Sequence, residues 1–253
     1  MNRSTKFVCL VLCIAFACAA YIQLGTLSVP NARADVQTAP IIYVAFGDST
    51  GAGVGAADGR GYVTRLFARL EQKIPGTRLL NLSVTGATVG DVLRSQVDQA
   101  VATHPTLVTL SVGANDLIHG VKGEVFAQNY EKTVHRLKTE TRAAIVITNI
   151  PDMSLAPAVP SVMRDDVRRH IVVFNEHIAQ TAHRYNLPVV DIFGASHDVI
   201  PKHPGFFSQD GVHPSDAGYE FWAETMWKTV AQAVGVDTNV VEQLPSAWSN
   251  KQP

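Results

Sequence analysis

A serine, a histidine and a carboxylate that could together attack an acyl bond stand at two distant places in the chain. The stretch "YVAFGDSTGAGVGA" (43–56) places Ser49 in a glycine-rich loop, and "DGVHPS" places Asp210 three residues before His213. A serine hydroxyl becomes a strong nucleophile when a neighbouring base takes its proton, and a carboxylate can orient that base. The D-x-x-H spacing lets Asp210 fold back onto Nδ1 of His213, which leaves Nε2 for Ser49. The alternative is a turn capped by Asp210 beside a histidine that is merely exposed.

The glycine-rich loop also allows a phosphate-binding interpretation, which its spacing does not favour. A Walker A loop needs a lysine after its last glycine, and a dinucleotide-binding loop needs the spacing G-x-G-x-x-G. Here no lysine follows Gly51, Gly53 or Gly55, and these glycines are spaced G-x-G-x-G. The letters GDSTG do match the nucleophile elbow of α/β-hydrolases. That fold has several strands before its elbow, however, whereas only one predicted strand precedes Ser49.

The elements that must position these residues alternate between strands and helices. The β-rich apolar runs lie at 41–46, 78–82, 106–112, 143–150 and 187–192. Segments between them carry apolar residues at helical spacing, as at Ile171, Phe174 and Ile178. Apolar strands that alternate with helices are typical of a parallel sheet covered on both faces. Ligands of such sheets bind beyond the carboxyl ends of the strands, which is where Ser49 and His213 are predicted to lie.

Four short blocks share one property, since each of them follows a predicted strand. In chain order they are "FGDS", "NLSVTGAT", "GAND" and "DGVHPS". In this combination the chain resembles the SGNH (GDSL-type) hydrolase family, from residue 41 to about residue 234. The resemblance implies a flavodoxin-like, three-layer α/β/α sandwich around a five-stranded parallel sheet.

The resemblance also implies a role for each block. Ser49 would be the nucleophile, His213 its base and Asp210 the residue that orients the base. The oxyanion hole would consist of the backbone N–H groups of Ser49 and Gly86 and the side-chain amide of Asn115. The reaction implied is hydrolysis of a carboxylic ester through an acyl-enzyme, with no cofactor. Two further acids that flank these residues, Asp48 and Asp116, are predicted to brace the loops.

The sequence indicates the reaction more clearly than it indicates the acyl group and the alcohol of the substrate. Four side chains near the blocks are candidates for a substrate pocket: Leu117, Ile118, Phe206 and Phe207. Core packing is an equal alternative for the two phenylalanines. The expected substrate is a small-molecule, lipid or glycan acyl ester, and a short acyl chain or an open groove is slightly favoured because no insertion is long enough to form a lid. An acyltransferase or a carbohydrate O-acetylesterase with the same triad, and a non-catalytic binding module, remain as alternatives.

Metal and nucleic-acid binding are not indicated. The histidines show neither H-x-x-x-H nor H-E-x-x-H spacing, so we expect no metal site. Removing residues 1–34 takes away three of the 21 basic residues and none of the 22 acidic ones, which leaves a net charge of −4. A chain with this charge and no Lys/Arg-rich run lacks the electrostatic footprint of a nucleic-acid-binding protein. The oligomeric state is not indicated.

The first 34 residues have the composition of an export signal. Arg3 and Lys6 precede an uncharged run over 7–22, and Ala32-Arg33-Ala34 fits an A-x-A cleavage site. The run is shorter than the roughly 20 residues that a membrane-spanning helix needs, so an uncleaved anchor is the less favoured alternative.

An export signal predicts both the domain boundaries of the chain and the location of the protein in or outside the cell. We predict a signal peptide over 1–34 and a single hydrolase domain over 35–253, with 236–253 as a mobile tail. The protein would be secreted, periplasmic or attached to the cell surface, which leaves membrane or cell-wall proximity open. All three cysteines lie within the leader. The mature domain therefore has no disulfide, thiolate zinc site or cysteine nucleophile.

Overall fold

The structure, a computed structural model, describes residues 39–237. The predicted signal peptide and most of the predicted tail lie outside the described residues, so the domain boundaries stay a prediction. Among residues 39–237, no helix is both long enough and apolar enough to cross a membrane.

The sheet has five parallel strands in the order β2-β1-β3-β4-β5. The strands are β1 (Ile42–Gly47), β2 (Arg78–Asn81), β3 (Leu107–Ser111), β4 (Ala144–Thr148) and β5 (Val189–Val190). Strand β1 pairs with β2 on one side and with β3 on the other, and Gly47 lies opposite Ser111. The strand that follows β1 in the chain lies on one side of it, and all later strands lie on the other side. This reversal of strand order at β1 is a topological switch point, where open α/β sheets bind their ligands.

Eight helices connect or follow these strands within the described residues. They are α1 (Ser49–Ala52), α2 (Tyr62–Lys73), α3, α4 (Ala114–Ile118), α5 (Gly123–Glu140), α6 (Arg164–Tyr185), α7 (Ile192–Val199) and α8 (Asp216–Ala233). Helix α3 comprises Val89–Asp91, a π-helical turn over Val92–Gln96, and Val97–Ala102. Short 3₁₀ turns cover Met153–Leu155, Ser161–Met163, Ile200–Lys202 and Pro204–Phe206.

Alternate side chains of strands β1 to β4 enter two separate apolar clusters, one on each face of the sheet. Val44 and Phe46 of β1 belong to the cluster that includes residues of α3, α5 and α6. Tyr43 and Ala45 belong to the cluster that includes residues of α2 and α8. A sheet buried on both faces needs strands that are apolar at every position, which β1 satisfies. The predicted three-layer α/β/α sandwich with a five-stranded parallel sheet is confirmed.

Candidate active site

The turn after β1 presents Ser49 at the start of a helix. Oδ1 of Asp48 accepts hydrogen bonds from the backbone N–H and the hydroxyl of Thr50, both at 2.9 Å, and so caps α1. Ser49 is only 8% exposed. A Cβ on Gly51 would collide with the side chain of Ser83, so the glycine lets this helix approach the loop after β2. The burial of Asp48 raises the pKa of its carboxyl, which its hydrogen bonds with Thr50 offset only in part.

His213 lies between Ser49 and Asp210 in one unbroken hydrogen-bond chain. Its Nε2 is 2.9 Å from Oγ of Ser49, and its Nδ1 is 2.7 Å from Oδ2 of Asp210. The other carboxylate oxygen of Asp210 accepts from the backbone N–H groups of Val212 and His213 and from the hydroxyl of Ser208. The D-x-x-H loop is therefore folded back on itself, in the way that its spacing allows.

These hydrogen bonds also determine the charge of Asp210. Desolvation alone would raise the pKa of its carboxyl, but the donors from Val212, His213 and Ser208 outweigh it and hold the pKa well below its ordinary value. An ionised carboxylate beside Nδ1 favours the tautomer that carries its hydrogen there. The lone pair of Nε2 then faces the hydroxyl of Ser49.

The loops after β2 and β3 bring Gly86 and Asn115 to the same cavity as Ser49 and His213. Gly86 has a φ of +82°, in the left-handed region that glycine adopts without strain. Asn115 lies in the first turn of α4, and its Nδ2 donates to the carbonyl of Ala87 at 3.1 Å. This hydrogen bond directly joins the loop of Gly86 to the helix that carries Asn115. The segments of these two predicted oxyanion-hole residues are thus held together.

Asp116 makes the second link between these loops. Its Oδ2 accepts from the backbone N–H of Val89 at 2.8 Å, while its Oδ1 is buried with no hydrogen-bond partner among residues 39–237. Desolvation raises the pKa of this carboxyl to about 6. The position of Asp116 fits the bracing role that its place in "GAND" suggests.

The predicted pocket residues divide into two groups. Ile118, Phe206 and Phe207 line the cavity beside Ser49. Leu117 is not among the residues that line this cavity. It packs against the cluster that includes α3, α5 and α6, because neighbouring residues on a helix point about 100° apart.

Sequence reasoning missed much of the cavity wall. Further lining residues are Ile150, Met153, Ala156, Ile192, Ser196, Ile200, Phe221 and Trp222. Most of them follow β4 and β5, so their place beyond the carboxyl ends of strands was a signal that could have found them. Within the part of the chain that the structure describes, no group of three or more His, Cys, Asp or Glu side chains could hold a metal ion.

Residues 45–221 match the sequence profile of the GDSL-like Lipase/Acylhydrolase family. The chain belongs to this family. A related acetylxylan esterase from Geobacillus stearothermophilus is 26% identical over 191 residues, which cover 71% of this chain and 85% of the relative. Esterase TesA from Pseudomonas aeruginosa is 23% identical over 194 residues, which cover 77% and 90%. This GDSL-like hydrolase is accordingly a carboxylic ester hydrolase.

Solved structures show the same fold. The crystal structure of Axe2, an acetylxylan esterase from Geobacillus stearothermophilus, matches this GDSL-like hydrolase with a TM-score of 0.65 at 21% identity, over 79% of this chain and 97% of the other. The crystal structure of TesA matches with a TM-score of 0.63 at 23% identity, over 76% and 99%. These structures show the shared fold, and the profile match over residues 45–221 confirms the family resemblance.

Proposed function

We propose that this GDSL-like hydrolase cleaves carboxylic esters through an acyl-enzyme on Ser49, after export from the cell that makes it. The observation that carries the proposal is the hydrogen-bond chain from Oγ of Ser49 through His213 to Asp210, at 2.9 and 2.7 Å. Export rests on the composition of residues 1–34 alone.

In the first half of the reaction, Oγ of Ser49 attacks the carbonyl carbon of the ester while its proton moves to Nε2 of His213. Asp210 stabilises the imidazolium that forms. The electron pair of the C=O bond becomes an oxyanion, for which Ser49 and Gly86 offer backbone N–H groups and Asn115 its amide. When the oxyanion collapses, the bond to the alcohol oxygen breaks, His213 protonates the leaving alcohol, and the acyl group stays on Ser49.

The second half repeats these steps with water. His213 takes a proton from a water molecule, whose oxygen attacks the acyl carbon. Collapse of the second oxyanion breaks the bond to Oγ, Ser49 recovers its proton from His213, and the carboxylic acid leaves. An acyltransferase would differ only in that an acceptor alcohol replaces this water.

The acetylxylan esterase relative supports a carbohydrate O-acetylesterase as the second candidate. A non-catalytic binding module is disfavoured, because nothing about ligand binding alone requires His213 to bridge Ser49 and Asp210 at hydrogen-bond distance. Product analysis with and without an added acceptor alcohol distinguishes hydrolysis from acyl transfer, since only a transferase forms the new ester in preference to the free acid.

Covalent trapping tests the nucleophile. Incubation of the full chain with a fluorophosphonate should abolish ester hydrolysis, and mass spectrometry should find the adduct on the peptide that contains Ser49. The variant Ser49→Ala should take up no label and lose at least ~10³ in turnover. Ser161→Ala, a change of the same kind at an exposed serine, is the matched control. Unchanged hydrolysis by Ser49→Ala would overturn the mechanism.

A further inference from the structure

The cavity beside Ser49 continues well beyond the catalytic residues. At its mouth, Ile118 and Val212 are 65% and 48% exposed. Elsewhere in its wall, Ile192 of α7 and Trp222 of α8 are only 2% and 6% exposed. The wall thus combines exposed apolar residues with buried ones from α7 and α8, so the cavity offers buried apolar surface in addition to its open side.

We propose that this pocket holds the acyl chain of the ester, so that acyl chains of about six to eight carbons are preferred over acetate. The inference rests on the proposed function, because it assumes that Ser49 is acylated. It departs from the preference for short acyl chains that the lack of a lid suggests.

The chemistry of the pocket suits an alkyl chain better than a sugar. Its wall consists mainly of aliphatic and aromatic side chains, among them Ile150, Ile192, Phe221 and Trp222. The hydroxyl of Ser196 is already engaged, since it donates to the carbonyl of Phe193 and accepts from the backbone N–H of Asp152, both at 2.9 Å. Nε1 of Trp222 is buried without a partner among the described residues. Apart from this donor, a sugar hydroxyl buried against these aliphatic and aromatic side chains finds no hydrogen-bond partner among them, and an unsatisfied buried hydroxyl is costly.

Asp152, one of the two carboxylates that line the cavity, is paired with side chains from behind the wall. Asp152 is buried, and its Oδ2 accepts from Nε of Arg168 on α6 and lies 3.1 Å from Nδ1 of His197 on α7. Its Oδ1 accepts from the backbone N–H and the hydroxyl of Ser154. Desolvation alone would raise the pKa of this carboxyl, but these partners hold the pKa below its ordinary value.

This ion cluster also makes the pocket a preformed one. Asp152 connects the segment after β4 to α6 and to α7, so three elements that form or support the pocket wall are held together. The backbone N–H of Ala158 donates to the carbonyl of Gly211 at 3.0 Å, which attaches the same segment to the loop of Asp210 and His213. A pocket that is already shaped costs a ligand little ordering on binding.

The volume of the cavity sets the length of chain that it can hold. The cavity measures about 270 Å³, which is room for about nine groups of the size of water at roughly 30 Å³ each. The ester group beside Ser49 takes part of this space, and the remainder exceeds what the single methyl group of acetate fills. Each methylene buried in it should raise kcat/KM by about fourfold at best.

A chain-length series tests the proposal. We would measure kcat/KM of the full chain for p-nitrophenyl acetate, butyrate, hexanoate, octanoate and palmitate, each below its critical micelle concentration. The expected profile rises at least about tenfold from acetate to hexanoate or octanoate and falls at palmitate.

A substitution inside the pocket should move this profile. Ile200→Trp adds volume at a half-buried lining position and should lower the octanoate-to-acetate ratio of kcat/KM at least about tenfold. Val172→Trp adds the same side chain at an exposed position of α6 outside the pocket and should keep the wild-type ratio. Because both substrates are compared on the same enzyme preparation, partial misfolding cancels from the ratio. Ala156→Leu, on a different part of the wall, serves as the second variant if Ile200→Trp does not fold.

The outcomes separate the two proposals. A wild-type profile that is flat or falls from acetate onward would overturn the acyl pocket while leaving the ester hydrolase intact. An unchanged ratio in a folded Ile200→Trp and a folded Ala156→Leu would do the same. A lack of turnover on every ester would overturn both proposals.

Discussion

Asn115 shows how much of the proposed mechanism rests on single side chains. Its amide donates to Ala87 at 3.1 Å, which fixes the side chain beside the cavity and leaves its second N–H for the oxyanion. The contact between Asp210 and His213 could be predicted, because the two residues lie only three positions apart in the D-x-x-H motif. Contacts within one loop depend on local geometry and could be foreseen, whereas the link from Asn115 to Ala87 could not.

Replacement of the Asn115 side chain tests its proposed role in the oxyanion hole. Asn115→Ala should lower kcat by roughly 10²–10³ with little change in KM, because the lost donor acts on charge that develops only in the transition state. Steady-state kinetics on the best ester of the series checks this, and thermal unfolding should show a Tm lower by at most a few degrees, because one hydrogen bond to Ala87 is lost. An effect confined to KM would make Asn115 a residue for substrate binding instead.

At the scale of elements, the strand ends were predictable, and they indicated where the cavity wall lies but not which side chains form it. The apolar runs of the sequence locate all five strands, although β5 is only two residues long. It ends early because Oδ1 of Asp191 accepts from the backbone N–H of Gly194 at 2.8 Å and so starts α7 directly after the strand. The wall residues Ile192 and Trp222 are apolar residues of helices, and in sequence such residues look the same whether they line a cavity or fill a core. For the same reason the sequence did not separate Leu117, which packs against the core, from Ile118, which lines the cavity.

The contact between α3 and α4 leads to a prediction about stability and pH. Burial raises the folded-state pKa of Asp116 to about 6, with Asp91 nearby adding to the effect and His119 opposing it. A carboxyl whose pKa is higher in the folded state stabilises the fold at low pH, and this contribution is lost as the pH rises through the folded pKa. The wild type should therefore lose free energy of unfolding relative to Asp116→Asn as the pH rises from about 4 to about 7. The asparagine keeps an oxygen that can accept from Val89.

Urea unfolding of both proteins at pH 4, 5, 6 and 7 measures this difference. Asp198→Asn removes the same charge from an exposed position and serves as the control. A stability difference between Asp116→Asn and the wild type that does not change over this pH range would show that the carboxyl of Asp116 is not perturbed by its burial.

At the scale of the whole molecule, the proposed export of the protein has a chemical consequence. The cysteines of the chain, Cys9, Cys13 and Cys18, all lie in the predicted signal peptide. Cleavage after Ala34 would thus remove every thiol together with three positive charges, and the mature protein would carry a net charge of −4. A leader that stays attached as an anchor would instead keep all three thiols on the exported protein.

Thiol labelling of the exported protein therefore distinguishes the two processing routes. We expect the product recovered outside the cytoplasm to begin at Asp35 on N-terminal sequencing and to take up no maleimide, because signal cleavage follows small residues of the A-x-A type. Ala34→Arg, which replaces a small residue at the cleavage site, should accumulate as an uncleaved, maleimide-reactive chain. The conservative Ala34→Ser should be processed as the wild type is. Recovery of exported wild type with an intact Met1 and three reactive thiols would establish the anchor instead, and would place the ester hydrolase at a membrane surface.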